Sequence, residues 1–206
     1  MKVLLINGSP HEKGCTYTAL SLIAGELKAQ GIETEILHVG GQPMGGCIGC
    51  GGCRSGNGCV FGGVVNEAIE KAKTADAFVF GSPVHYASAA GNMASFMDRL
   101  AYAGGKYLAY KPAAVCCSAR RAGTTSTLDQ LVKYPQFFHM PLVNGSYWAM
   151  VHGSNPEQVL QDAEGCAVMQ ELGRNMAWLL RCIEAGKAAG IDHPQNPPRP
   201  MTSFIR

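Results

Sequence analysis

The chain has 206 residues, 47% of them hydrophobic and 16% charged, which predicts one compact core rather than two domains. Its formal net charge is +2 and lysine and arginine form no run, which argues against a nucleic-acid partner. The apolar segments are too short for a membrane span or an export signal. We therefore expect a cytoplasmic protein with no membrane partner, whose nine cysteines are reduced thiols or metal ligands rather than disulfides.

Short apolar runs alternate with helical patterns along the whole chain. The runs that predict buried strands are 2–6, 33–39, 77–80, 113–117 and 142–150. Apolar residues at helical spacing predict helices around 20–27, 65–72, 93–100, 128–132 and 172–183. This order predicts an α/β fold of three layers, a doubly wound sheet of five parallel strands with helices on both faces. We expect one domain over 1–190, with a cysteine loop at 44–61 after strand two, and an extended proline-rich tail over 191–206.

The cysteine loop is the densest chemical feature of the chain. It contains Cys47, Cys50, Cys53 and Cys59, spaced C-x2-C-x2-C-x5-C, with glycines filling the gaps. A glycine-rich loop turns sharply and can direct several sulfur atoms to one place, as a multinuclear iron–sulfur cluster requires. Two other interpretations stay open at this stage, a zinc loop and a set of plain thiols.

Three loops follow the carboxyl ends of predicted strands one, three and four, where doubly wound sheets bind ligands. The loop at 8–16 precedes a helix and has the hydroxyls of Ser9 and Thr16, which can bind a phosphate, although a simple strand-to-helix turn with a Ser/Thr cap has the same residues. The loop at 81–89 offers Val84, His85 and Tyr86 to a planar ring, although a plain turn has the same composition. The loop at 118–124 has backbone amides for a polar ring edge and two adjacent arginines, which are more often merely solvated.

A phosphate cradle, an aromatic platform and a polar clamp together favour FMN over a dinucleotide. The motifs Asn7-Gly8-Ser9-Pro10 with Gly14-Cys15-Thr16, the segment 81–86 and Met97-Asp98-Arg99 resemble those of the flavodoxin-like NAD(P)H-dependent FMN reductases. The cysteine loop resembles the iron–sulfur flavoprotein branch of that family. The likeness runs through the last helix, and the 202–206 ending is similar too. The chain departs from the family at Cys15, at His85 and at Gly62-Gly63, where many relatives have an asparagine, a tyrosine and an acidic pair.

The resemblance implies a flavodoxin-like fold, non-covalent FMN, NADH or NADPH as electron donor, and a quinone, flavin or protein as acceptor. It implies a homodimer or homotetramer in which a [4Fe-4S] cluster on the four loop cysteines faces FMN across a subunit contact. The residues it assigns to FMN are Ser9, His11, Cys15 and Thr16 for the phosphate, Pro83, Val84, His85 and Tyr86 for the ring, and Ser118, Ala119, Arg120, Arg121 and Gly123 for its polar edge. Arg120 and Arg121 would also stabilise negative charge on reduced flavin.

Two other functions remain open from the sequence. One is a flavodoxin-like electron carrier without enzymatic turnover, and the other is a redox sensor built on thiols or zinc. The cysteines outside the loop, Cys116, Cys117, Cys166 and Cys182, fall on predicted strands or helices and are expected to fill the core.

Overall fold

Five parallel strands and one short antiparallel strand form the centre of the molecule. A computed structural model describes residues 1–202 and 204. The strands are β1 (Lys2–Asn7), β2 (Glu33–His38), β3 (Ala77–His85), β4 (Ser88–Ala89), β5 (Ala113–Ala119) and β6 (Met150–His152). The parallel strands lie in the order β2-β1-β3-β5-β6, and β4 pairs with the end of β3. With β4 set aside, this is the 2-1-3-4-5 order of flavodoxin, so the predicted fold class is confirmed.

Helices cover both faces of this sheet. They are α1 (Cys15–Ala29), α2 (Val64–Thr74), α3 (Gly91–Gly104), α4 (Thr124–Phe137), α5 (Pro156–Val159) and α6 (Ala163–Ala188), with 3₁₀ turns at Gly52–Ser55 and Gly105–Tyr107. Side chains alternate across each strand. In β3, Ala77 and Val79 pack with α1 and α6 on one face. Phe78 and Phe80 pack with α2 and α3 on the other. Two apolar layers therefore enclose the first half of β3 at the centre of the sheet.

The structure corrects two details of the predicted strands. β3 runs on from Phe80 to His85 and folds back as β4, so the segment predicted as a loop begins inside a strand. The fifth strand is β6 at Met150–His152, whereas the predicted run 142–150 contributes only an isolated bridge between Leu142 and Ala113. An apolar run in which polar and apolar residues do not alternate does not show which of its residues pair with a neighbouring strand.

The chain beyond α6 has no helix or strand over 191–202. Of the 202–206 ending that resembles the reductase family, Ser203, Ile205 and Arg206 lie outside the described residues. None of the helices in the described part of the chain is long and apolar enough to cross a membrane.

Candidate functional site

Strand register brings the three predicted loops to one edge of the sheet. Asn7 of β1 pairs with Gly81 of β3. Two residues further along β3, Pro83 pairs with Ser118 of β5. The loops after β1, β3 and β5 therefore leave the sheet side by side, beyond the carboxyl ends of parallel strands, where this fold places its ligand.

The loop after β1 leaves a set of donors free for an anion. Ser9 is 3% exposed, and its hydroxyl oxygen accepts a hydrogen bond from the backbone amide of His11 at 3.1 Å, which leaves the Ser9 hydroxyl proton free to donate. The helix α1 starts at Cys15, and no side chain in the described part of the chain caps it at Gly14. The first amides of α1 thus remain available to phosphate oxygens, and the alternative of a Ser/Thr-capped turn is not what the structure has.

A pair of buried hydroxyls joins this loop to the third one. Thr16 Oγ1 and Ser118 Oγ lie 2.8 Å apart, and both residues are almost completely buried. One hydroxyl donates to the other, and the acceptor of that bond keeps its own proton for another partner. The pair therefore links α1 to β5, and one of its two hydroxyl protons remains available to donate at the junction of the two loops.

The loop after β3 is a tight hairpin turn with a strained backbone. Val84 pairs with Ala89 and His85 with Ser88, so Tyr86 and Ala87 form the two-residue turn. Their φ angles are +50° and +59°, as a type I′ turn requires, although neither residue is glycine. A left-handed conformation costs about 1–2 kcal/mol for each such residue. The turn holds the fully exposed Tyr86 ring out from the edge of the sheet, where it is available to a flat ligand.

The loop after β5 packs directly against this hairpin. Gly123 has a φ of +92°, and a Cβ atom there would lie 2.6 Å from Ala87 Cα and 2.8 Å from Val84 Cγ1. The Ser126 hydroxyl donates to the Ala87 carbonyl at 2.6 Å. Only glycine fits between these two loops, so Gly123 sets the spacing of the ring-binding segment.

The remaining residues assigned to FMN differ in exposure. Ala119 is buried, Pro83, Val84 and Cys15 are partly buried, and His11, His85, Arg120 and Arg121 are exposed. The Cys15 sulfhydryl donates to the Gly153 carbonyl at 3.5 Å, and burial raises the pKa of this thiol. Cys15 is therefore a neutral donor tied to the loop after β6, beside the amides of α1. Together the loops bring hydroxyls, backbone amides, an aromatic ring and positive charge to one edge of the sheet.

The four loop cysteines line one cavity of about 160 Å³, together with Ile48, Val60, Phe61, Arg99 and Tyr102. Cys47 and Cys50 are exposed and Cys53 and Cys59 are partly buried. Among residues 1–202 and 204, no three His, Cys, Asp or Glu side chains are grouped so as to hold a single metal ion. Four thiols on one cavity are the donor set of a polynuclear iron–sulfur cluster, in which each sulfur binds a different iron.

Cys59 is held more firmly than the other three. The Asn66 side chain accepts a hydrogen bond from the Cys59 amide at 2.8 Å and donates to its carbonyl at 3.0 Å. The Arg99 guanidinium donates through Nε to Cys59 Sγ at 3.3 Å. Within the described residues, the sulfur atoms of Cys47, Cys50 and Cys53 make no such bond. The sequence does not show that Asn66 and Arg99 contact Cys59, because both contacts depend on how α2 and α3 pack.

The other cysteines divide by depth. Cys116 and Cys117 fill the core as predicted, and burial raises the pKa of the Cys117 thiol to about 12 and that of Cys116 further, so both stay protonated near neutral pH. Cys166 is partly buried and Cys182 is exposed, so the expectation that Cys182 fills the core was wrong. Cys182 follows the buried Leu180 by two positions, which places it on another side of α6 from the buried stripe.

The chain is similar to known proteins both in sequence and in fold. A family model described as NADPH-dependent FMN reductase matches residues 1–155. An iron-sulfur flavoprotein of Methanocaldococcus jannaschii is 28% identical over 192 residues, covering 89% of this chain and 100% of its own. An iron-sulfur flavoprotein of Archaeoglobus fulgidus is 36% identical over 99 residues, which span 48% of each chain. The solved structure of a flavodoxin from the domain Archaea superposes with a TM-score of 0.60 at 14% identity, covering 88% of this chain and 99% of that one, which supports the fold alone.

Proposed function

The chain belongs to the NADPH-dependent FMN reductase family, and from that premise we propose that it is an oxidoreductase that moves electrons from NADH or NADPH through FMN to a quinone, flavin or protein acceptor. The observation that carries this proposal is the junction of the loops after β1 and β5, where the buried hydroxyls of Thr16 and Ser118 lie 2.8 Å apart beside the uncapped start of α1. FMN supplies the redox chemistry there, as a hydride acceptor from nicotinamide.

Residues of all three loops have defined parts in this proposal. The Ser9 hydroxyl, the Thr16–Ser118 pair and the first amides of α1 hold the phosphate, because they donate hydrogen bonds at a positive helix end. The hairpin at 83–86 covers one side of the ring. The amides around Gly123 bind the polar ring edge, and the exposed Arg120 and Arg121 place positive charge where reduction adds negative charge.

We further propose that Cys47, Cys50, Cys53 and Cys59 hold a [4Fe-4S] cluster, which supplies one-electron transfer. Two observations support it, the shared cavity and the names of the two archaeal relatives. The cavity rim is apolar and exposed at Ile48, Val60, Phe61 and Tyr102, which suits burial against a second copy of this chain. A homodimer or homotetramer would shield the cluster from water.

Turnover tests the oxidoreductase part. Protein purified without oxygen and reconstituted with FMN is mixed with NADH or NADPH, with and without a quinone or free flavin as acceptor. The proposal predicts rapid loss of the oxidised flavin bands and sustained coenzyme oxidation when an acceptor is present. Slow reduction by both coenzymes, with tight FMN binding, would instead favour the electron carrier.

Metal analysis of two matched variants tests the cluster part. Serine at all four loop cysteines should abolish iron and sulfide incorporation, because serine is a poor cluster ligand. Serine at Cys166 and Cys182, which lie outside the loop, should leave iron content unchanged. Equal iron in both variants would refute the cluster assignment, and about one zinc per chain would favour the redox sensor.

A further inference from the structure

Arg99 is a buried cation in a place where α3 meets the cysteine loop. Its residue surface is 7% exposed, and among the described residues no carboxylate forms an ion pair with it. The neighbouring carboxylate is engaged elsewhere, because the Tyr134 hydroxyl donates to Asp98 Oδ1 at 2.6 Å. A guanidinium withdrawn from water is costly unless an anion or several acceptors compensate it.

Among the described residues, the hydrogen bonds and the ring contact of Arg99 all lie on the segment 59–62. Its Nε donates to Cys59 Sγ at 3.3 Å and one terminal nitrogen donates to the Gly62 carbonyl at 3.1 Å. The guanidinium carbon lies 5.5 Å from the centre of the Phe61 ring. Since the carbonyl and the ring carry no net charge, the Cys59 sulfur is the one group among these partners that can supply a full negative charge.

We propose that Arg99 is the counter-charge of Cys59, that it positions this sulfur as a thiolate ligand, and that it raises the reduction potential of the cluster bound there. The inference rests on the proposed cluster. A hydrogen bond from a cation to a ligand sulfur stabilises the more negative, reduced form over the oxidised form, and such bonds are among the factors that set iron–sulfur potentials. Arg99 is thus a positioning residue that acts through Cys59.

The cavity offers a matched control. Arg54 lines the same cavity, but it is exposed, and within the described residues its side chain makes no hydrogen bond to a cysteine sulfur. R54Q thus removes one positive charge from the cavity without removing a hydrogen bond to sulfur, whereas R99Q removes both. Removing each cation in turn therefore separates a buried hydrogen bond to sulfur from the general effect of one positive charge near the cavity.

The test is a potentiometric titration of the cluster by electron paramagnetic resonance, in the FMN-loaded wild type, R99Q, R99K and R54Q. We expect R99Q to shift the reduction equilibrium toward the oxidised form at least tenfold, which is 59 mV for a one-electron couple. R99K retains the charge without the planar donor group, so its reduction potential should lie between those of the wild type and R99Q. R54Q should shift the equilibrium less than threefold.

A second measurement needs no variant at Arg99 and so covers the case in which R99Q does not fold. Wild-type and R54Q proteins are prepared with ¹⁵N-labelled arginine. Hyperfine couplings between nitrogen and the reduced cluster are then recorded by pulsed electron paramagnetic resonance. The proposal predicts a coupling that changes with the arginine label and persists in R54Q. A label-independent spectrum, or an R99Q potential equal to wild type in iron-loaded protein, overturns the role of Arg99 while the cluster stands. Absence of iron from the wild type overturns both.

Discussion

At the scale of single residues, two threonines of α1 differ in what their hydroxyl groups bond to. Thr18 lies on α1 two residues after Thr16, and its hydroxyl donates to the Gly14 carbonyl at 3.2 Å, within its own helix. The Thr16 hydroxyl instead reaches Ser118 on β5, at the junction of two loops. Residue type and helix are the same, but only Thr16 presents its hydroxyl to the proposed phosphate position.

This difference leads to a paired prediction. T16V should weaken FMN binding about tenfold, equivalent to ~1.4 kcal/mol, because it removes a donor and leaves the Ser118 hydroxyl without its partner. T18V should leave affinity within about twofold, since its hydroxyl is satisfied locally. Quenching of FMN fluorescence on titration measures both. Equal FMN affinities for the two variants would show that the Thr16–Ser118 hydroxyl pair does not bind the phosphate.

The sequence carried much of this residue-level information. Hydroxyls and glycines before a helix indicated an anion site, and C-x2-C-x2-C indicated a shared metal site. The partner of Thr16 was hidden, because the Thr16–Ser118 contact spans 102 positions and depends on the register of two strands with β3 between them. The motif Met97-Asp98-Arg99 was visible, but the contact of Arg99 with Cys59 was hidden, because it depends on how α3 packs against the cysteine loop.

At the scale of elements, the site depends on how closely the β3–β4 hairpin and the start of α4 approach one another. The sequence indicated a turn after the third strand, but not that β3 continues to His85 before it turns. Gly-Ser-Pro resembles the end of a strand, and pairing with β5 as far as Pro83 overrides that local preference. Consequently Tyr86 lies at the tip of a hairpin rather than in a loose loop.

Two glycine-to-alanine changes should act in opposite directions. G123A forces a left-handed alanine against Ala87 and Val84, and should lower the free energy of unfolding by about 2–4 kcal/mol and weaken FMN binding. Gly25 is exposed on α1, and no atom outside the neighbouring backbone of its own helix lies within 4 Å of the new methyl group, so G25A should raise the free energy of unfolding by about 1 kcal/mol. Urea unfolding of the FMN-free protein measures both. A neutral G123A would contradict the close contact of the two loops.

At the scale of the whole molecule, the parallel direction of the strands places the loops proposed to bind FMN and the cysteine loop at the same end of the sheet. β2 is an edge strand, and the cysteine loop follows it in the chain, whereas β1, β3 and β5 lie further in. Alternation of strands and helices was enough to predict this arrangement, because right-handed crossovers leave few topologies open. Subunit assembly has no comparable signal in the sequence, so the proposed oligomer depends on surfaces that only the structure reveals.

Two exposed aromatic residues provide the test of assembly. Tyr102 on α3 lies at the rim of the cysteine cavity, and Trp178 on α6 lies on the opposite face of the sheet. Y102E should reduce the mass in light scattering toward the monomer, because an unpaired carboxylate in an apolar contact is costly. W178E should keep the wild-type mass. The opposite result would place the subunit contact on α6 and away from the cysteines.

The most direct test of the central claim is one absorption spectrum, with flavin, iron and sulfide analysis, of protein purified without oxygen and then treated with NADPH or NADH. We expect one FMN per chain, a broad shoulder from about four irons, and bleaching of the flavin bands by at least one of the coenzymes. Protein that contains no flavin and does not bind added FMN would contradict the account at its centre.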